Sequence, residues 1–310
     1  MGNRILRFIN HRDVVLLLAL VVGLALGDQT RILSEYAVWI LAIVMLFSTT
    51  GFTFRSWIPF RGVIKDIVKA VFLNYIVFGL IVVLATSFIP DAGDYSYLRK
   101  GLFIIVAAPA GPSIIAFTAL LKGNLEYSVN GVFGITVASL FLTPLLLFLL
   151  LDGSEISPLL LMPMLLKLIV LPLVISRFLR HKKIFPVVKK AQPTIVKWGF
   201  FFVIVPTVGL SRDVIFAEPQ LVLIAAAVFM AAIYVLGFLY YLIARKKENP
   251  RNIISGILIT VVKSSAFSAV VAFSFFEESV VALPSAVLSI FVTSFYITFS
   301  LFAGKFLKSE

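Results

Sequence analysis

The chain has 310 residues, 61% of them apolar and 14% charged, with a formal charge of +12 and no cysteine. A mean hydropathy of +1.08 excludes an ordinary soluble domain, and the missing thiols exclude a disulfide framework or a thiolate metal site. The positive charge is read as a basic cytoplasmic face beside anionic lipid, so the expected partner is the bilayer and not nucleic acid.

In chain order, ten apolar spans are predicted, at about 14–27, 36–54, 63–89, 101–121, 128–151, 157–179, 196–216, 219–244, 252–276 and 282–307. The thirteen residues MGNRILRFINHRD that precede them are short and basic. No small-residue cleavage site follows the first apolar run, so no leader is expected. Loops are brief, without linkers or a soluble domain. With the first residue inside, cytoplasmic segments hold 21 Lys/Arg and outer loops hold 4 (Arg31, Arg99, Lys100 and Arg212). That bias predicts cytoplasmic termini.

The fourth predicted span, GLFIIVAAPAGPSIIAFTALL, is uncharged yet carries Pro109, Gly111 and Pro112 at its middle. Proline lacks an amide hydrogen and clashes with the preceding turn, so the helix is expected to break. Unwound backbone at that depth must line a cavity or be covered by protein. An echo begins 155 residues later, GILITVVKSSAFSAVVAFSFF, with Lys263, Ser264 and Ser265 opposite Ala108, Pro109 and Ala110. Paired broken helices in two halves point to the binding site of a secondary transporter. Five spans per half, 1–155 and 156–310, make the repeat inverted, and spans four and nine are expected to cross near the midplane. The fold class expected is an all-α polytopic membrane protein with ten transmembrane helices.

Several motifs are similar to those of the bile acid:sodium symporter family. They are Pro109-Ala110-Gly111, Lys122-Gly123-Asn124 with Ser128, Thr143-Pro144-Leu145, the run from Val261 to Ser265, Ala282-Leu283-Pro284-Ser285-Ala286, and MLFSTTGFTF at 45–54. The resemblance implies a panel of spans 1, 2, 6 and 7, a core of spans 3–5 and 8–10, and a bacterial cytoplasmic membrane protein carrying bile acids, small carboxylates or sulfonates. It also implies two sodium sites behind the crossing, and there the residues depart. The shared glutamate of span nine is Thr260, and the glutamine and asparagine after it are Ser264 and Ser265. The Ser-Asn pair of span four is Ile114-Ile115, and a span-five threonine is Val132, while Ser128 is kept. Asn74 stands for a glutamine and Lys263 for a methionine, and the substrate-contacting histidine and asparagine of span ten are Val292 and Thr293. A sodium site needs oxygen ligands; isoleucines supply none. Conventional sodium coupling is therefore not expected, and no cofactor is.

Lys263 is the leading candidate. A charge at mid-span costs at least about 2.5–3.5 kcal/mol on insertion scales and usually faces a cavity. The ends of its span are roughly 16–20 Å away at 1.5 Å per residue, beyond a lysine's comfortable reach. Three roles are open: a fixed surrogate for sodium, a counter-ion for an anionic substrate, or a proton coupler. Lys167 is also deep, and either faces the substrate crevice or reaches for water. No acidic residue lies at comparable depth, so an anion or a carbonyl cluster is the expected partner of both. Thr260, Ser264, Ser265, Ser113 and Ser128 are site or packing residues. Asn74 needs partners in its apolar span, and Pro109 and Pro112 frame the crossing.

The function expected is alternating-access transport of a small organic anion without conventional sodium coupling. A sodium symporter with altered sites and a channel-like permease are the alternatives. An enzyme is not expected: only His11 and His181 occur, and there is no H-E-x-x-H, G-x-S-x-G or P-loop motif. Nothing indicates an obligate protein partner.

Overall fold

A computed structural model describes residues 12–50, 60–151 and 158–306. Among these every regular element is helical. Seven helices are long and apolar enough to cross a membrane: α1 (Val14–Glu35), α3 (Gly62–Thr86), α6 (Leu125–Leu150), α7 (Leu159–Phe178), α8 (Phe185–Leu210), α9 (Pro219–Ala244) and α12 (Ser279–Ala303). Shorter helices are α2 (Ala37–Thr49), α4 (Asp94–Ala107), α5 (Ser113–Leu120), α10 (Pro250–Val261) and α11 (Ser265–Phe275). The protein is an integral membrane protein of polytopic helical type.

Two groups of helices pack side by side. In one, α8 lies against α1 and α2, and α7 lies against α2. In the other, α3 packs on α6, α4 on α12, α11 on α12 and α9 on α10. Three helices contain one wide π turn each, at Phe72–Val77, Leu166–Val170 and Met230–Val235. The extra residue in such a turn rotates the side chains that follow it. The first π turn buries both Asn74 and Tyr75.

Some boundaries differ from those expected. The first helix continues to Glu35 through a tighter turn at Gly27–Thr30. More consequentially, α8 starts at Phe185 and not near 196. Its first-turn Pro186 needs no amide hydrogen, and Pro193 is accommodated in the interior. Lys189 and Lys190, expected in a loop, are exposed on this helix, and Lys197 is buried in it. Residues 51–54 of the second expected span, Trp57 and the boundary at 155–156 lie outside the described residues. At the end of α2, the Thr49 and Thr50 hydroxyls donate to Leu46 O (3.2 Å) and Phe47 O (2.7 Å), satisfying the backbone within the helix.

Gly101 lets α4 and α12 meet backbone to backbone. A Cβ there would overlap the carbonyl of Val281 and the ring of Pro284. Gly256, at the aligned position of the echo, instead faces the phenol end of Tyr240, which can swing aside. Gly101→Ala is expected to destabilise the protein by about 1–3 kcal/mol through overpacking, and Gly256→Ala by clearly less. Thermal unfolding of the two variants side by side checks this ordering.

Candidate functional site

The site forms where the two broken segments meet. In a continuous helix the carbonyl of Ala108 would accept from the amide of residue 112, but Pro112 has none. Thus α4 stops at Ala107, and Ala108 turns extended at φ −67°, ψ 147°. The facing segment is extended too, with Val262 at φ −98°, ψ 112° and Ser264 at φ −85°, ψ 95°. The two pair antiparallel at Ala110 and Lys263, and the Ser264 amide donates to Pro109 O at 2.9 Å.

Lys263 is 2% exposed. Its ammonium donates to Val106 O at 2.9 Å and Ala108 O at 2.8 Å, two carbonyls at the end of α4. A helix carboxyl end carries partial negative charge, so a cation is favoured there. Tyr75 closes the other side, its ring centroid 4.2 Å from Nζ, with Phe78 at 5.5 Å. The aromatic faces add a cation–π attraction. The partner of Lys263 is thus a carbonyl cluster. Tyr75 and Phe78 were not singled out from sequence; their three-residue spacing beside Asn74, on one helix face, was the available signal.

The other candidates serve the same crossing in different ways. Asn74, fully buried, donates through Nδ2 to Ile259 O (2.8 Å) and Val262 O (3.4 Å) at the end of α10, while its Oδ1 has no hydrogen-bond partner among the described residues. Ser264 caps α11 by accepting from the Phe267 amide at 3.3 Å. Ser265 is partly exposed and opens that helix. The Thr260 hydroxyl turns back to Gly256 O at 2.7 Å. Ser128 shares a 2.8 Å bond with Thr118, and Ser113 one of 2.8 Å with the Tyr296 hydroxyl. Thr143 donates to Ala107 O at 2.7 Å. Ile114 and Val132 are buried in one apolar cluster with Ile259.

Lys167 is not brought to the crossing. It is exposed, lines a shallow groove with Leu166, Val170, Leu171 and Val174, and lies 5.4 Å from the centroid of the Trp39 ring. Helical side chains lean toward the amino end of their helix, and Trp39 stands in the first turn of α2. The long aliphatic stem therefore carries the charge toward an interface on an aromatic anchor. Of the two readings open for Lys167, a side chain facing the crevice or one reaching for water, this placement favours the second.

Three cavities matter. A small one of about 50 Å³ touches Gly111, Ser113, Lys263, Ser264, Ser265 and Thr293. It shares Ser113 and Phe200 with a cavity of about 660 Å³ that Ser48, Pro112, Ala116, Val129, Gln192 and Lys197 help line. The third, about 730 Å³, carries Asp28, Asp213, Glu277 and Glu278 with Arg31. So the crevice is cationic beside Lys197, whereas the third cavity is predominantly acidic. Lys197 escaped the sequence reading because the start of α8 did.

The sequence profile described as Sodium Bile acid symporter family matches residues 38–218. Comparison with curated proteins yields no match. The profile covers more than half of the chain, including the first broken segment and most of the helices that enclose the 660 Å³ cavity. The chain belongs to the sodium bile acid symporter family, and the protein is a membrane transporter.

Proposed function

We propose that this transporter moves a small organic anion by alternating access and uses Lys263 where its sodium-coupled relatives use an ion. The reading includes ten membrane-crossing segments in two inverted halves, 1–155 and 156–310. Spans 1, 2, 6 and 7 form a panel, and spans 3–5 and 8–10 form a core, with both termini cytoplasmic. Support for the repeat comes from two breaks at aligned positions. Further support comes from the π turns beginning at Phe72 and Met230, 158 residues apart. The separate packing of α1, α2, α7 and α8 favours the panel.

The observation that carries the coupling reading is the Lys263 ammonium on Val106 O and Ala108 O. Those carbonyls are the kind of oxygen a sodium ion would recruit. Ile114 and Val132, at positions the resemblance gives to sodium ligands, sit in packed apolar core. The cation is thus part of the chain. A sodium-coupled cycle is the second reading, favoured by one feature: the buried Oδ1 of Asn74, unpartnered among the described residues.

A thermal-shift screen of small carboxylates, sulfonates and amines tests the function. Organic anions are expected to raise the melting temperature equally in sodium and in choline buffer at constant ionic strength, and amines to have no effect. Stabilisation that rises steeply with sodium would favour the second reading, and preference for amines would sink the anion.

Lys263→Met strands two buried carbonyls, each worth about 1–3 kcal/mol when left without a donor. The variant is expected to melt several degrees lower and to regain part of that loss with sodium but not with choline. Lys263→Arg separates a fixed charge from a proton coupler, because a guanidinium keeps its proton in a protein. If proton-driven uptake into proteoliposomes disappears in both variants, the lysine titrates during transport and the surrogate role is wrong.

A further inference from the structure

Away from the crossing, a polar cluster joins the start of α3, the start of α6 and the end of α9. Asp66 and Lys69 share one face of α3, and Tyr127 and Asn130 share one face of α6, each pair three residues apart. Tyr240 of α9 and Glu248, in the turn before α10, close the cluster. The Lys69 ammonium donates to Glu248 Oε1 at 2.6 Å, and the Tyr240 hydroxyl reaches the same oxygen at 3.5 Å. Lys69 also lies 5.3 Å from the centroid of the Tyr127 ring and 6.0 Å from that of Tyr240. Asp66 Oδ2 accepts from Asn130 Nδ2 at 3.3 Å, and the Tyr127 phenol is within electrostatic range of both Asp66 and Glu248. The helices beneath are in close contact, since a Cβ on Gly131 would overlap Ala70 and one on Gly134 would overlap Ile67.

Three buried atoms of this cluster have no hydrogen-bond partner among the described residues: Glu248 Oε2, Asn130 Oδ1 and the Tyr127 hydroxyl. Asn130 and Tyr127 are 1% and 4% exposed, so bulk water does not serve them. A carboxylate oxygen and an amide oxygen only accept, which leaves the cluster short of donors. It is short of positive charge as well. Asp66 and Glu248 bring two negative charges, and Lys69 brings one positive charge within range of both. Lys65 is also in range of Asp66 but is exposed, as are Glu126, Arg245, Lys246, Lys247 and Arg251, so solvent screens them. One proton corrects both deficits: on a carboxylate oxygen it turns an acceptor into a donor and leaves the cluster neutral. A metal ion would have to share these carboxylates with an ammonium already in contact with one of them. We propose that Asp66 and Glu248 bind one exchangeable proton between them, at a site separate from Lys263 and independent of its role. The side chains of Lys69 and Glu248 are 38% and 23% exposed, which gives the proton a path to and from water. Helix α10 begins two residues after Glu248 and ends at Val261, beside the crossing, so the proton sits at one end of the helix whose other end leads into Lys263.

Infrared titration of the protein in lipid nanodiscs reads the proton through the C=O stretch of a protonated carboxyl. Ordinary Asp and Glu side chains, which titrate at about 3.9 and 4.3, are ionised by roughly pH 6.5. Wild type is expected to keep a carboxylic-acid band at that pH. Asp66→Asn or Glu248→Gln leaves a single carboxylate with Lys69, a pair that is already neutral, so either substitution alone should abolish the band. Glu248→Asp keeps the carboxyl and should keep the band, which separates loss of the proton from disturbance of the turn. Lys69→Met should move the midpoint of the band up by about one unit or more, the scale of a lost opposite charge. Absence of the band from wild type overturns the proposal without any variant. A band that survives undiminished in Asp66→Asn or in Glu248→Gln also overturns it and leaves the cluster a structural ion pair.

Discussion

Two hydrogen bonds from one ammonium hold the centre of this fold. Backbone that leaves the helix at bilayer depth has no water to turn to, so each exposed carbonyl must find a donor within the protein. Here the accounting can be followed residue by residue. Val106 O and Ala108 O take Lys263, Ala107 O takes the Thr143 hydroxyl, and Pro109 O takes the Ser264 amide. On the other strand, Ile259 O and Val262 O take the Asn74 amide. A buried ammonium is expensive to desolvate, and oriented carbonyls with an aromatic face offset that penalty. The charge is held by dipoles and not by an opposite charge, so removing it leaves several groups unsatisfied at once.

Much of the crossing was legible in the sequence because its causes are local. Pro109 and Pro112 forbid a continuous helix wherever they fall, and a lysine far from both ends of an apolar span must find internal partners. What the sequence could not show was set by neighbours distant in the chain. The role of Tyr75 depends on a π turn that rotates it toward Lys263. The apolar environment of Ile114 and Val132 depends on packing across α5, α6 and α10. Lys167 and Lys197 illustrate the same limit from opposite sides. Lys167 has the sequence position of a deep residue but leans outward onto Trp39, and Lys197 has the surroundings of a loop cation but lies inside α8. The cations and prolines near 186–193 do not prevent a helix, because a proline in the first turn is compatible with one.

The two larger cavities differ in electrostatic character. One has a lysine set among alanine, isoleucine, valine and phenylalanine, and the other has four carboxylates and one guanidinium. In low-dielectric surroundings such differences act strongly on a charged ligand. They also act through different chemistry. The lysine cavity offers apolar contact along with its charge, whereas the acidic cavity is lined by polar groups from the short connections at Asp28, Asp213 and Glu277. An anionic ligand would be favoured electrostatically in the first and disfavoured in the second.

A built-in ammonium also changes how membrane voltage acts on a carrier. In a sodium symporter the mobile part gains and loses its cations each cycle, so the voltage drives the loaded step. If the segment bearing Lys263 moves relative to the field, its positive charge travels in both directions. If a monovalent anion travels with that segment, the loaded segment is electrically neutral, and empty it carries one positive charge. An interior-negative potential, worth about 2.3 kcal/mol per elementary charge per 100 mV across the full membrane, would then pull the empty segment inward and leave the loaded one indifferent. Voltage would reset the carrier toward the cytoplasm and favour outward movement of the anion, the reverse of the direction that sodium imposes.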